Sequence, residues 1–108
     1  MTMQQTYQII LCTSPDKESA EKIARQLIND KIAACVNILP GLTSIFPWQG
    51  KIETEQEHLL LIKTRKDRYQ FVEKSIQTNH PYEIPEIIAI PVENGLAEYM
   101  QWIESCLS

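Results

Sequence analysis

The side chains best suited to chemistry in this sequence are gathered in one short stretch, residues 79–86, which reads Asn-His-Pro-Tyr-Glu-Ile-Pro-Glu. It combines an imidazole, a phenol and two carboxylates with two prolines. Each proline fixes its own φ and biases the preceding residue toward extended geometry, so the polar side chains are held in place. Rigid connectors of this kind often carry binding or catalytic groups. A simpler interpretation is that the stretch only ends a helix, with His80 binding the last free carbonyls.

A second reactive side chain, the thiol of Cys12, lies near the end of an apolar run at residues 7–13. A thiol and an imidazole are suitable ligands for copper or zinc, and Glu83 or Glu86 could complete a weak mixed site. The alternative for Cys12 is a small buried core residue. A Cys-His nucleophilic pair is also conceivable, but the sequence offers no evident orienting group or oxyanion loop, so we expect no enzyme.

Composition limits the size and the partners of the protein. Its 108 residues are long enough for one domain, residues 1–108, that buries a core without staples. The formal charge of -4 and pI of 5.1 leave no basic stripe for nucleic acid. No basic and apolar leader and no run of roughly 20 apolar residues is evident, so we expect a cytoplasmic protein without membrane contact.

Three widely spaced cysteines predict reduced thiols rather than a disulfide framework. They are Cys12, Cys35 and Cys106.

The first elements read as a strand followed by an amphipathic helix. Residues 7–13 are apolar and partly β-branched, which is typical of a buried strand. We expect Ser14 to cap the helix and Pro15 to be its first residue. Five apolar residues then recur at helical spacing and would cover one face of a sheet. They are Ala20, Ile23, Ala24, Leu27 and Ile28.

A long hairpin follows this helix. Residues 33–48 predict one strand with a bend at Pro40-Gly41, and the chain turns back at Gln49-Gly50. The returning strand alternates acidic residues on what we expect to be a solvated face. These are Glu53, Glu55 and Glu57. Such a hairpin would overshoot its six-residue neighbour, residues 87–92, and leave Trp48 uncovered near the tip, so we expect another subunit to cover it.

A second helix and strand and a final helix complete the chain. The helical period of residues 66–78, the apolar run 86–92 and a helix after Asn94-Gly95 extend the order to strand, helix, strand, strand, helix, strand, helix. This order is typical of an α+β ferredoxin-like sandwich with an added C-terminal helix. In that topology several candidate side chains lie toward the same end of the sheet. They are Cys12, Trp48, His80, Tyr82 and Glu86.

Several short motifs spread over nearly the whole chain are specific when taken together. They are residues 11–16 (Leu-Cys-Thr-Ser-Pro-Asp), 31–41 (Lys-Ile-Ala-Ala-Cys-Val-Asn-Ile-Leu-Pro-Gly), 48–52 (Trp-Gln-Gly-Lys-Ile), 62–64 (Ile-Lys-Thr) and 80–82 (His-Pro-Tyr) with 85–86 (Pro-Glu). With these motifs the chain resembles the CutA family, the divalent-cation tolerance proteins. The resemblance implies a ferredoxin-like subunit in a tight homotrimer whose hairpins pair across subunits. It also implies a role in tolerance to copper and other divalent metals, or signalling akin to the trimeric PII proteins.

The same resemblance implies roles for individual residues. Cys12 and His80 match the family's cysteine and histidine and are the candidate copper ligands. The side chains expected to line the intersubunit cleft are Trp48, Lys63, Tyr82 and Glu86. Some family members with a copper assignment have a second histidine directly before the one that matches His80. Asn79 stands there in this chain and is a much poorer ligand, which argues against tight copper binding.

We therefore expect a cytoplasmic homotrimer that responds to divalent metal ions, with copper or another divalent cation as its ligand and no organic cofactor. The alternative is a PII-like regulatory module whose intersubunit cleft binds a small molecule or a protein partner. An acyl-transferring or phosphate-hydrolysing enzyme on the same fold ranks last, because no set of nucleophile, base and stabiliser is evident.

Overall fold

The first strand sets the layout of the sheet, because it lies between two other strands. The computed structural model describes residues 7–107. In it β1 (Tyr7–Ser14) pairs on one side with β3 (Lys51–Arg65) and on the other with β4 (Ile88–Val92). The strand β2 (Cys35–Trp48) pairs with the outer side of β3. All three pairings are antiparallel, and the strand order is β2-β3-β1-β4.

The helices connect these strands as the sequence predicts. They are α1 (Lys17–Asn29), α2 (Tyr69–Asn79) and α3 (Ala97–Cys106). One 3₁₀ turn, Lys66–Arg68, precedes α2, so the first turn of the predicted helix over residues 66–78 is not α-helical. The order of elements confirms an α+β ferredoxin-like sandwich with an added C-terminal helix. Within residues 7–107, no helix has the length and apolar character needed to cross a membrane.

The main core lies between one face of the sheet and the helices α1 and α2. Because strand side chains alternate between faces, every second residue of the central strands points toward the helices. The helices contribute apolar side chains at three-four spacing, which makes one continuous stripe on each. The fully buried members are Ile10, Cys12, Leu60 and Ile62 from the strands and Ala20, Leu27, Val72 and Ile76 from the helices.

The start of α1 differs from the prediction that Ser14 is its cap. Ser14 is the last residue of β1 and pairs with His58, so its backbone is committed to the sheet. The cap is Asp16, whose carboxylate accepts a hydrogen bond of 2.7 Å from the backbone amide of Ser19. That bond lowers the pKa of Asp16 below its ordinary value. The helix therefore begins two residues later than the Ser-Pro signal indicated.

The hairpin has the predicted bend and turn. The pairing of β2 with β3 shifts register between Leu39 and Leu42, where Gly41 adopts a φ of 77°. At the tip, Gln49 and Gly50 both have positive φ, which is typical of a two-residue hairpin turn. We call residues 42–57 the arm, because they extend past the end of β1. Lys51 lies seven residues along β3 from His58, the partner of Ser14, so the tip is about 23 Å beyond that end.

The other face of the sheet is covered at one end only. Ile103 of α3 and Leu107, directly after that helix, pack there with Ala34, against Tyr7. Along the rest of this face, Leu39, Ile88 and Ile90 are each more than two-fifths exposed. The face is therefore apolar but largely open in a single subunit.

Candidate functional site

The site forms where the segment after α2 passes the end of β1. We call residues 80–87 the connector; they belong to neither a helix nor a strand. The strand β4 pairs with β1 only as far as Leu11, which lies opposite Ile88. Beyond Leu11 the connector, rather than β4, lies beside β1. The contact that shows this is the hydrogen bond between the His80 side chain and the carbonyl of Thr13. The predicted rigid polar connector thus lies against the strand that carries Cys12.

The imidazole of His80 is buried and uses both of its nitrogens. Its Nε2 lies 2.7 Å from the carbonyl oxygen of Thr13, and its Nδ1 accepts a hydrogen bond of 3.0 Å from the backbone amide of Tyr82. A carbonyl can only accept and an amide can only donate, so the ring is the neutral tautomer with its proton on Nε2. The backbone amide of His80 ends α2 by bonding Ile76, but the side chain reaches β1 rather than the helix carbonyls.

Tyr82 joins the connector to the base of the arm. Its hydroxyl donates a hydrogen bond of 2.9 Å to the carboxylate of Glu57, and its ring packs against the His80 ring at a centroid distance of 4.8 Å. Burial raises the pKa of Tyr82 to about 12, with further contributions from the hydrogen bond to Glu57 and from its charge. Glu57 is only 6% exposed, so the prediction that it belongs to a solvated acidic face is wrong.

Cys12 occupies the core directly beneath this end of the sheet. Its side chain is fully buried, and its Sγ is 3.7 Å from the carbonyl oxygen of Thr13. Burial and, to a smaller extent, the negative charges of Glu86 and Glu57 together raise the pKa of the thiol to about 12. Near neutral pH the side chain is therefore a protonated thiol rather than the thiolate that binds metals.

The arrangement of Cys12 and His80 in one subunit does not fit a metal ion. Both ring nitrogens of the imidazole already have hydrogen-bond partners, and the thiol keeps its proton. Among residues 7–107, no group of three or more histidine, cysteine, aspartate or glutamate side chains is placed to hold a metal. Asn79 hydrogen-bonds the carbonyl of Ser75 at 2.8 Å and belongs to the end of α2. Ligation by Cys12 and His80 stays a prediction that requires a different connector conformation.

The residues predicted to line an intersubunit cleft do not meet within one subunit. Tyr82 and Glu86 both lie on the connector, and the charge of Glu86 acts on Cys12. Trp48 lies at the tip of the arm, more than half exposed. Lys63 pairs with Ile9, so it lies on the face opposite Cys12. A cleft that joins all four side chains would need a second copy of the chain.

Lys63 has partners of its own on that opposite face. Its ammonium donates a hydrogen bond to the side chain of Asn37 and lies 6.0 Å from the ring centroid of Tyr99 on α3. These contacts hold the lysine over the open face of the sheet, near the end covered by α3.

Sequence reasoning missed two groups of the site, the Glu57 carboxylate and the Thr13 carbonyl. Every residue has a backbone carbonyl, so the sequence cannot indicate that the carbonyl of Thr13 belongs to the site. Glu57 continues the alternation of Glu53 and Glu55, so its pattern is that of an exposed strand. The only available signal was the bend at Pro40-Gly41, because Glu57 pairs with the first residue after the register shift.

Comparisons with known proteins agree with this fold. The family model described as CutA1 divalent ion tolerance protein matches residues 8–106. A curated protein of Yersinia pestis (strain Pestoides F), named divalent-cation tolerance protein CutA, is 42% identical over 99 residues. That match covers 92% of this chain and 83% of the relative.

Two further comparisons come from a plant and from a solved structure. The rice protein CutA 1, chloroplastic, is 39% identical over 90% of this chain, and the match spans 55% of the rice protein's length. The crystal structure of CutA from Xylella fastidiosa superposes with a TM-score of 0.92 at 45% identity and covers 97% of this chain and 100% of that one. The chain belongs to the CutA1 family of divalent ion tolerance proteins.

Proposed function

We propose that this chain acts in tolerance to divalent metal ions, as a homotrimer and without catalysing a reaction. The observation that carries the proposal is the family match over residues 8–106, supported by the Yersinia relative whose name states divalent-cation tolerance. The acidic surroundings of the connector favour cations over anions, since Glu57 and Glu86 both act on Cys12. We expect no organic cofactor. A cytoplasmic location also stays a prediction.

The open face of the sheet supports assembly with further copies of the chain. Its exposed apolar residues continue a row of half-buried ones along β1 and β3. The arm adds Ile45, Trp48 and Ile52, each more than half exposed. Contiguous apolar surface of this kind is rare on monomers and marks an interface. We expect the arm of one subunit to pair with a neighbour, which removes its free edges.

For the metal ligands we propose Cys12 and His80, in a connector conformation other than the one described. The ring of His80 would have to release either the Thr13 carbonyl or the Tyr82 amide to free a nitrogen, and the Cys12 thiol would have to lose its proton. Both requirements lower the affinity, in agreement with the absence of a second histidine at position 79.

Titration calorimetry tests the ligand assignment. Copper(I), under oxygen-free conditions, and the redox-inert zinc ion would each be added to the reduced protein and to a Cys12→Ser, His80→Ala variant. A Cys35→Ser, His58→Ala variant is the matched control, since it removes the other histidine of the chain and another cysteine. We expect saturable binding near one ion per subunit that is lost only in the first variant. Equal weak binding in all three proteins would exclude this pair as ligands.

The second candidate is a PII-like regulatory module that binds a small molecule or protein partner in the cleft between subunits. The observation that favours it is the placement of Trp48 and Lys63 away from the connector, so that a cleft with Tyr82 and Glu86 would need these two side chains from another copy. The calorimetry separates the two functions, and light scattering in the same buffers checks that the protein is assembled. Metal binding that is weak and independent of Cys12 and His80, in a protein whose mass is about three times the 12.5 kDa of one chain, would favour the regulatory module.

A further inference from the structure

The connector is the part of the molecule that closes the edge of β1 beside Cys12. Pairing between β1 and β4 ends at Leu11 and Ile88, so the next position along the edge, beside Cys12, falls to Ile87. Ile87 packs against the core cluster that contains Cys12, and His80 bonds the Thr13 carbonyl next to it. The other sides of Cys12 face β3 and the buried stripes of α1 and α2. At this edge of β1 the cover of Cys12 is therefore the connector, which is neither a helix nor a strand.

Within one subunit, few interactions hold the connector closed. Among residues 7–107, its hydrogen bonds beyond the end of α2 are three, all involving the side chains of His80 or Tyr82. Pro81 and Pro85 have no amide hydrogen to donate, and Ile84 is 84% exposed. Segments with few buried contacts and few backbone hydrogen bonds open locally at a lower free energy than the whole domain.

We propose that residues 80–87 form a lid that opens while the rest of the chain stays folded, and that its opening controls access to the Cys12 thiol. The hydrogen bonds from His80 to Thr13 and from Tyr82 to Glu57 are its two latches. The second latch ends at the base of the arm, so lid and arm are joined by one side-chain contact. This inference does not depend on metal binding, and its test contains no metal.

The test measures the rate at which a maleimide reagent labels Cys12. The chain would carry Cys35→Ser and Cys106→Ser, which leaves Cys12 as its single thiol. Labelling would be followed at several denaturant concentrations below the unfolding transition. Lid opening exposes little surface, so the labelling rate should depend only weakly on denaturant concentration. A labelling rate that is limited by global unfolding would instead rise steeply with denaturant concentration. A steep dependence that matches global unfolding would overturn the proposal.

A pair of matched tyrosine variants tests the latch. Tyr82→Phe removes the hydrogen bond to Glu57, and the loss of one such bond should speed labelling roughly fivefold. Tyr7→Phe makes the same chemical change at the other end of the sheet, where the Tyr7 hydroxyl donates to Glu104 at 2.8 Å. That control should leave the labelling rate at low denaturant unchanged. Equal acceleration in both variants, or none in Tyr82→Phe, would contradict a lid latched by Tyr82.

Hydrogen exchange on the chain without the tyrosine substitutions keeps the proposal testable if Tyr82→Phe does not fold. The amide of Tyr82, which donates to His80, should exchange through an opening that is insensitive to denaturant. The amides of Ile23 and Val72, in the helices that cover the core, should exchange only through a steeply denaturant-dependent opening. If the Tyr82 amide shares their steep dependence, the connector does not open separately.

Discussion

The hydroxyl of Tyr82 donates a 2.9 Å hydrogen bond to the carboxylate of Glu57, which joins the connector to the base of the arm. Glu57 is 25 residues away along the chain and almost fully buried. Hydrogen bonds to a charged group in such a place are stronger than the average, and a buried carboxylate that loses its donor is costly. The contact therefore stabilises two segments that no backbone pairing connects.

Loss of this contact should destabilise the protein. We expect Tyr82→Phe to lower the free energy of unfolding by about 1–2 kcal/mol, because the Glu57 carboxylate is left without that donor. Tyr99→Phe, on the more exposed surface of α3, should change it by less than about 0.5 kcal/mol. Denaturant titrations at one fixed protein concentration measure both values. Identical values for the two variants would show that the Tyr82 hydroxyl contributes nothing to stability.

The stability of the protein should fall at alkaline pH. Burial raises the pKa of the Cys12 thiol from its ordinary value of 9.0 to about 12, so the folded chain holds this proton more tightly than the unfolded chain. The resulting stabilisation is complete below pH 9 and is lost as the pH rises toward 12. Cys12→Ala should therefore flatten the decline of stability between pH 9 and 12. Thermal unfolding across this range, with Cys106→Ala as the control, checks the slope. If the decline of stability between pH 9 and 12 is equally steep in Cys12→Ala, deprotonation of this thiol is not its cause.

The hairpin and the connector show which features could be predicted from sequence. The bend at Pro40-Gly41 and the turn at Gln49-Gly50 were predicted because glycine and proline set backbone geometry locally. The partner of Tyr82 could not be predicted, because it depends on the pairing register of β3 and on the path of the connector across β1. The same limit applies to the His80 ring, whose acceptor is the backbone of Thr13.

The cap of α1 shows how tertiary pairing overrides a local signal. Ser14 precedes a proline and has the right chemistry for a cap, but it is fully buried and pairs with His58 at the end of β1. The actual cap is Asp16, two residues further along the chain. The strand continues as long as a partner is available, and the helix starts where pairing ends.

Substitution of Asp16 tests its role as the cap of α1. Asp16→Ala removes the carboxylate that accepts from the Ser19 amide and should lower the melting temperature by a few degrees. Asp16→Asn keeps an acceptor and should retain most of the stability at neutral pH. Because the hydrogen bonds from Ser19 lower the pKa of Asp16, the advantage of the native residue over alanine is present at neutral pH and is lost as the pH falls through that lowered pKa. Melting curves from neutral to strongly acidic pH test this. A constant difference between Asp16 and alanine at all pH values would contradict the assignment of the carboxylate as cap.

The open apolar face predicts how assembly responds to a single charge. Ile90 of β4 lies on that face and is 46% exposed in one subunit, whereas Ile28 of α1, 42% exposed, lies on the helical side of the sheet. Ile90→Asp should bury a carboxylate if a second copy covers the face, and the cost of an unpaired buried charge should shift the protein toward a mass of 12.5 kDa. Ile28→Asp introduces the same charge at similar exposure and should leave the proposed trimer intact. Light scattering over a dilution series compares the two. If both variants keep the mass of the unaltered protein, the open face is not the assembly surface, and the arm alone must hold the subunits together.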